Sequence, residues 1–243
     1  MSVIVPTLHE EKLLATTLAV FDAPWRSAVH AELIVSDGGS TDGTLDIARQ
    51  FADIVVVHAG DHRQTIAEGR NAGAKAATGD VLVFINGDTV PADRERFTEC
   101  LLNFVDRRGP YARASALACP VGFRPVEEKL ADKAFHAFYN SYVWFLLLLR
   151  IGAGRGECQV IRRPVFELVR GYRSELAAGE DFDLLARIGT KARVQFAWDM
   201  LVFESPRRFR KFGYFRVLFA WTINALSVMF RGRSSSDEWE PVR

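Results

Sequence analysis

Cysteine is scarce in this chain. Cys100, Cys119 and Cys158 are the only three; they lie far apart and form no CxxC pair. That pattern supports neither a disulfide framework nor a zinc site, and it points to a reducing compartment. The five histidines, His9, His30, His58, His62 and His136, also lack metal-ligand spacing. Ser36, Ser40 and Ser205 lack the setting of a nucleophile elbow. There is no excess of charge, with Lys+Arg at 31 and Asp+Glu at 30. That balance argues against a nucleic-acid partner. Gly at 18 and Pro at 9 exclude collagen-like and low-complexity classes. Residues 134–149 and 217–230 carry no Asp, Glu, Lys or Arg. Both runs fall short of the roughly 18 to 20 apolar residues needed to span a bilayer. The opening Met1-Ser2-Val3-Ile4-Val5-Pro6 has no basic region and no cleavage-site pattern, so no secretory signal is expected. A cytoplasmic protein, at most touching the inner face of a membrane, is the expectation.

What is present is ample apolar material. Hydrophobic residues make up 49% of 243 positions, with 18 Phe, which excludes disorder and allows a sizeable core. The N-terminal half alternates short β-branched runs with helical patterns. Strands are expected at 3–5, 32–37, 54–58 and 81–85, with helices at 10–20, 42–51 and 66–77 between them. Short, wholly apolar strands suit a sheet buried on both faces, and the alternation predicts a mainly parallel α/β sheet. The second half is less regular. Helices are expected at 94–108, 125–149, 164–170, 181–188 and 212–230, and strands within 114–123, 159–162 and 194–197. Gly152-Ala153-Gly154-Arg155-Gly156 reads as a flexible loop. Its GxGxG spacing departs from GxGxxG and it lies too late in the chain for a dinucleotide fingerprint. Residues 231–243 read as a polar, frayed tail.

Ligands of parallel α/β sheets sit beyond the carboxyl ends of the strands. Three acidic residues fall there: Glu10 after the first strand, Asp37 ending the second, and Asp88 just past 81–85. Carboxylates so placed can accept hydrogen bonds from a ribose or base, or hold a hard divalent cation. Each alone would serve equally as a cap or turn residue. Together, with glycines beside them, they favour a ligand site.

These stretches resemble a known family. Val3-Ile4-Val5-Pro6-Thr7-Leu8-His9-Glu10 and Ile34-Val35-Ser36-Asp37-Gly38-Gly39-Ser40-Thr41-Asp42-Gly43-Thr44 look like the opening of the family 2 glycosyltransferases. Gly69-Arg70-Asn71-Ala72-Gly73, the run from Gly79 to Asp88, and Gly179-Glu180-Asp181-Phe182-Asp183-Leu184 continue the likeness in order, over residues 2–202. The resemblance implies a GT-A fold, with a mainly parallel central sheet, helices on both faces and a C-terminal helical segment. It divides the chain into a catalytic domain at 1–205, with nucleotide-binding half 1–90 and acceptor half 91–205, followed by a basic, aromatic helix and tail at 206–243. It implies an inverting transfer of sugar from a nucleotide-diphosphate donor to an acceptor hydroxyl. Pro6, Glu10, Asp37, Arg70, Asn86 and Gly87 would contact the nucleotide. Asp88 would bind Mn2+ or Mg2+, and Asp181 would be the general base. Glu180, Arg207 and Arg208 are candidate contacts for the diphosphate or the acceptor.

The chemistry is coherent. Negative charge grows on the leaving phosphate, which a cation and arginine forks stabilise. A carboxylate on the other side takes the proton of a weakly nucleophilic hydroxyl. Two departures stand out: Asn86 begins the DxD position with an uncharged amide, and His9 stands where the family often has Asn. The acceptor is a carbohydrate, a lipid-linked molecule or a small molecule. The aromatic runs at 135–149 and 217–230 suggest peripheral membrane contact, or a homodimer through the last helix. Two alternatives stay open: a non-catalytic sugar-nucleotide-binding subunit, which Asn86 keeps in play, and a nucleotidyltransferase of similar fold.

Overall fold

A computed structural model describes residues 1–151 and 153–235. Its elements run β1 (Ser2–Thr7), α1 (Leu14–Ala19), α2 (Ala23–Val29), β2 (Glu32–Asp37), α3 (Thr44–Phe51), β3 (Ile54–Val57), α4 (Ile66–Ala76), β4 (Val81–Ile85), β5 (Val90–Pro91) and α5 (Arg94–Val105). Then follow β6 (Ala116–Ala118), β7 (Val121–Gly122), α6 (Leu130–Leu148), β8 (Cys158–Arg162), α7 (Arg163–Leu168), α8 (Glu180–Gly189), β9 (Val194–Phe196), β10 (Val202–Phe203), α9 (Arg207–Phe212) and α10 (Tyr214–Arg231). The main sheet has seven strands in the order β3-β2-β1-β4-β8-β6-β9. β1, β2, β3 and β4 pair in parallel, as β6 and β9 do, while β8 runs antiparallel between β4 and β6. A small second sheet, β5-β10-β7, sits beside it.

Period-two alternation assigns each strand's side chains to two cores. Val3, Val5, Leu33, Val35, Val83 and Ile85 face one side, packed with Leu14, Leu18, Trp25, Phe97, Leu101 and Phe104 of α1, α2 and α5. Ile4, Ile34, Leu82 and Phe84 face the other, packed with Ala67, Ala74, Val165, Phe166, Leu184 and Leu185 of α4, α7 and α8. Both faces are therefore covered, which is why these strands read as unbroken apolar runs.

Some boundaries differ from the sequence expectation for local reasons. The helix expected at 10–20 starts only at Leu14, because the backbone around Glu10 turns first: Leu13 and Leu14 both donate to the Glu10 carbonyl. Helix α2 was not expected. Its start is nonetheless written in Asp22-Ala23-Pro24, where the Asp22 carboxylate accepts the Trp25 N–H at 2.9 Å and Pro24 needs no partner. The run 153–156 is not a flexible loop but is buried. Space explains its glycines: a Cβ on Gly154 would lie 2.1 Å from Leu185 Cδ1. Residues 236–243 of the expected tail, and Gly152, lie outside the described residues. No described helix is long and apolar enough to cross a membrane.

Helix α4 begins at a full capping box: Thr65 Oγ1 accepts from the Glu68 N–H, and the Glu68 carboxylate accepts from the Thr65 N–H. It lies close on β1 because Gly73 faces Ile4, and a Cβ there would come within 2.4 Å of Ile4 Cγ2. Gly73→Ala therefore sets a helix-propensity gain of up to about 1 kcal/mol against overpacking of about 1–3 kcal/mol. Overpacking wins, and the melting temperature is expected to fall by several degrees. An unchanged or higher melting temperature in a thermal scan would show that α4 shifts without strain.

Candidate active site

The carboxyl ends of β1, β2 and β4 share one sheet edge, and the start of β8 reaches that edge because it pairs antiparallel with β4, Cys158 opposite Ile85. The segment before β8, the starts of α8 and α9 and the middle of α10 close around the edge. A cavity of about 470 Å³ opens there, lined among others by Pro6, Glu10, Gly38, Arg70, Asn86, Gly87, Asp88, Glu157, Glu180, Asp181, Glu204, Arg207 and Arg208. The structure thus gathers residues 200 positions apart in sequence into one site, and residues beyond 205 form part of its wall.

Arg70 organises one side. Its side chain is 1% exposed. Nη1 donates to Glu180 Oε1 at 2.6 Å, while Nη2 donates to Asn86 Oδ1 at 3.1 Å and to the Gly156 carbonyl at 2.7 Å. Burial opposes its charge, but Tyr172, Glu180 and Asp181 outweigh that and hold its pKa above the ordinary range. Gly156 is needed here, since a Cβ would sit 2.7 Å from Arg70 Nη2 and 3.2 Å from Asp181 Oδ2. Asp181 opens α8 beside this pair, its Oδ1 accepting from the Phe182 N–H at 2.8 Å. Burial, reinforced by the charge of Glu180 and opposed by Arg70, pushes its carboxyl up to about 8.

Arg207 organises the other side. One nitrogen, Nη2, donates to both oxygens of Glu10 at 2.7 Å and to Asp88 Oδ2 at 3.0 Å. Burial raises the Asp88 carboxyl, Arg207 opposes that, and the charge of Glu157 adds to it. Asp88 therefore tolerates further positive charge. Among the described residues no group of three or more His, Cys, Asp or Glu side chains is arranged to hold a metal. Asn86 has its oxygen on Arg70 rather than turned to a cation. A hard cation fits all the same, on one carboxylate with the remaining positions taken by phosphate oxygens and water, as Mg2+ commonly binds.

Asp37 departs from the expectation of a nucleotide contact. It is fully buried and does not line the cavity. Oδ1 accepts from the Gly39 and Ser40 N–H groups at 3.0 and 2.7 Å, and Oδ2 accepts from the Thr7 and Ser40 hydroxyls at 3.0 and 2.6 Å. With its acceptors filled by its own turn and by Thr7 of β1, it shapes the turn that presents Gly38. His9 adopts φ +55°, a left-handed conformation in which Asn and His are both enriched, which accounts for this substitution.

Sequence reasoning missed Glu157 and Glu204, and the aromatic wall of Tyr139 and Trp221, and it named Arg155 only as part of the glycine run. Arg155 is 3% exposed and pairs with both glutamates. The signal was an Arg and a Glu embedded in otherwise buried sequence, masked by glycines that read as flexibility.

A validoxylamine A glucosyltransferase of Streptomyces hygroscopicus subsp. limoneus is 31% identical over 128 residues, 51% of this chain and 27% of the relative. The chain thus spans about a quarter of that protein's length. A mannosyltransferase from Pyrobaculum calidifontis, solved with GDP-Man and Mn2+, superposes with TM-score 0.63 at 22% identity, covering 84% of this chain and 56% of the other. Glucosyl-3-phosphoglycerate synthase from Mycobacterium tuberculosis, solved with Mn2+, UDP and phosphoglyceric acid, gives TM-score 0.63 at 18% identity, covering 95% and 77%. At these identities the two structures establish the fold. The family model described as glycosyl transferase family 2 matches residues 2–169. With its GT-A fold and a cavity at the carboxyl edge of its parallel strands, this chain belongs to glycosyl transferase family 2.

Proposed function

We propose that this protein is an inverting glycosyltransferase that takes its sugar from a nucleotide-diphosphate donor and uses Asp181 as general base. The observation that carries the reading is a single cavity holding both a carboxyl raised to about 8 and a cluster of Asp88, Arg207 and Arg208 suited to phosphate. Pro6, Glu10, Gly38 and Gly87 offer the nucleoside its seat, with Asp37 fixing the turn beneath. Arg207 and Arg208 would turn to the diphosphate oxygens, where a guanidinium fork matches the geometry. Asp88 would hold Mn2+ or Mg2+, which when bound supplies Lewis-acid neutralisation of the leaving phosphate. The acceptor oxygen forms a bond to the anomeric carbon as its proton passes to an Asp181 oxygen. The carbon–oxygen bond to phosphate breaks, and its electron pair leaves on the nucleoside diphosphate. One displacement inverts the centre. Glu180 and Arg70 hold Asp181 in place, while burial makes it a stronger base than an exposed aspartate.

The base must be ionised, so kcat/KM is expected to rise with pH through about 8. Asp181→Asn should lower kcat by a factor of about 10² to 10⁴ while nucleotide binding persists. The raised folded-state pKa also means that ionising Asp181 costs stability as pH climbs from the acid range toward 8. The same variant should therefore melt higher than wild type at pH 8. A flat pH profile, or an active Asp181→Asn, would remove Asp181 from the role.

Calorimetric titration of UDP, GDP and dTDP, with and without manganese, tests the donor end. One nucleotide should bind in a metal-dependent way, and Asp88→Ala should lose that dependence. Metal-dependent binding unaltered in Asp88→Ala would move the cation elsewhere; binding of none of the three would overturn the donor reading.

A second reading concerns the acceptor, and α10 favours it. Phe215, Phe219, Ile223 and Leu226 form one exposed stripe, with Phe215 91% and Phe219 68% exposed. Lys211, Arg216, Arg231 and Arg233 are exposed in the same segment, and residues 205–235 carry no acidic residue. An apolar stripe in a basic setting suits an anionic lipid surface and hence a lipid-linked acceptor. Flotation should show binding to vesicles containing phosphatidylglycerol, weakened by Phe215→Ser with Phe219→Ser. No vesicle binding, with sedimentation as a dimer that these substitutions dissociate, would assign the stripe to a second copy instead.

A further inference from the structure

The group around Arg155 has no part in the steps above, yet it forms part of the cavity wall. Arg155 Nε donates to Glu157 Oε2 at 3.2 Å, and Nη2 donates to Glu157 Oε1 at 3.0 Å and to Glu204 Oε1. Nη1 lies 3.1 Å from His136 Nδ1, and the guanidinium stands over the Trp221 ring at 5.2 Å. An arginine held on so many sides has no freedom left to follow a ligand. It acts as a bracket that fixes the Glu157 carboxylate in one orientation, 13% exposed at the cavity surface.

The position of Glu157 matters. Its carbonyl accepts the Asn86 N–H at 3.1 Å, which ties it to the segment that carries Asp88. Its chain neighbour Gly156 abuts Asp181, whose Oδ2 lies 3.2 Å from where a Cβ would be. Its charge is felt at both carboxyls and raises both. Glu157 therefore stands between the phosphate end and the base end of the site. If the donor reading above holds, the sugar ring must lie there too, since its anomeric carbon joins the phosphate and meets the acceptor from the Asp181 side. An ionised carboxylate accepts hydrogen bonds and donates none. Its natural partner is a pair of ring hydroxyls, while a sugar carboxylate would meet like charge in a poorly solvated place.

We propose that Glu157, oriented by Arg155 and Glu204, recognises the donor sugar through its ring hydroxyls and selects neutral hexosyl donors against uronic acid donors. This rests on the donor reading, and binding measurements separate the two. The probes are UDP, UDP-glucose and UDP-glucuronate, with GDP and GDP-mannose as the second nucleoside set. Wild-type protein should bind UDP-glucose or GDP-mannose more tightly than the bare diphosphate, and UDP-glucuronate about tenfold or more weaker than UDP-glucose if uridine is the base. Glu157→Gln should lose about tenfold in affinity for the neutral donor, the worth of a hydrogen bond to a charged group, while bare diphosphate binding holds. In the uridine case it should also narrow the gap to the glucuronate. Wild type that prefers UDP-glucuronate, or a folded Glu157→Gln with unchanged sugar discrimination, overturns the proposal. The wild-type comparison needs no variant, and so stands even if Glu157→Gln fails to fold. If no diphosphate binds at all, the donor reading fails first and the proposal with it.

Discussion

The buried guanidinium of Arg70 is the point on which the site depends. It joins α4, the end of β4, the segment before β8 and the start of α8 through three hydrogen bonds. A charge so enclosed gains little net stability, because desolvation consumes most of what pairing returns. What it yields is position. The carboxylate of Glu180, the amide of Asn86 and the carbonyl of Gly156 are each fixed relative to one rigid plane, and Asp181 follows from Glu180. The packing of α4 on β1 at Gly73 sets where that plane sits, so a contact in the core determines distances in the cavity.

Around this point the charges are nearly balanced. Among the described residues the cavity wall holds six carboxyl groups, Glu10, Asp88, Glu157, Glu180, Asp181 and Glu204, and five arginines, Arg63, Arg70, Arg155, Arg207 and Arg208. Each buried arginine faces more than one carboxyl; burial raises the carboxyls of Asp88, Asp181 and Glu204, and the charge of neighbouring carboxylates adds to it. Such a site is suited to an anion that arrives with its own cation, since either alone would disturb the balance.

Much of this was legible in the sequence. The parallel half could be read because strands buried on both faces must be short and apolar, as Val81–Ile85 is. That Asp88 and Asp181 line one cavity was legible from their motifs taken in order, since an acid at a strand end or helix start is by itself an ordinary cap. Asp37 shows the limit of that logic: it has the same signature, yet Gly39 and Ser40 close a turn on it from two and three residues on, and Thr7, thirty residues back, takes part of its second oxygen. The run 152–156 reads as flexible for a different reason, while its described residues 153–156 are buried. Glycine marks either freedom or lack of room, and only Leu185 and Arg70, far along the chain, reveal that here it is lack of room. The short strands β5 and β10 were invisible because two residues carry no period.

The bond between Arg207 and Glu10 spans 197 positions of sequence. The βα units of the first half make contacts of short sequence separation, whereas this one is non-local, and non-local contacts are the slower to form. The sheet can therefore assemble around its cores before the cavity exists. During synthesis, the first loop has to wait for the residue that completes it, and competence to bind ligand becomes a late report on whether the chain has folded through to α9.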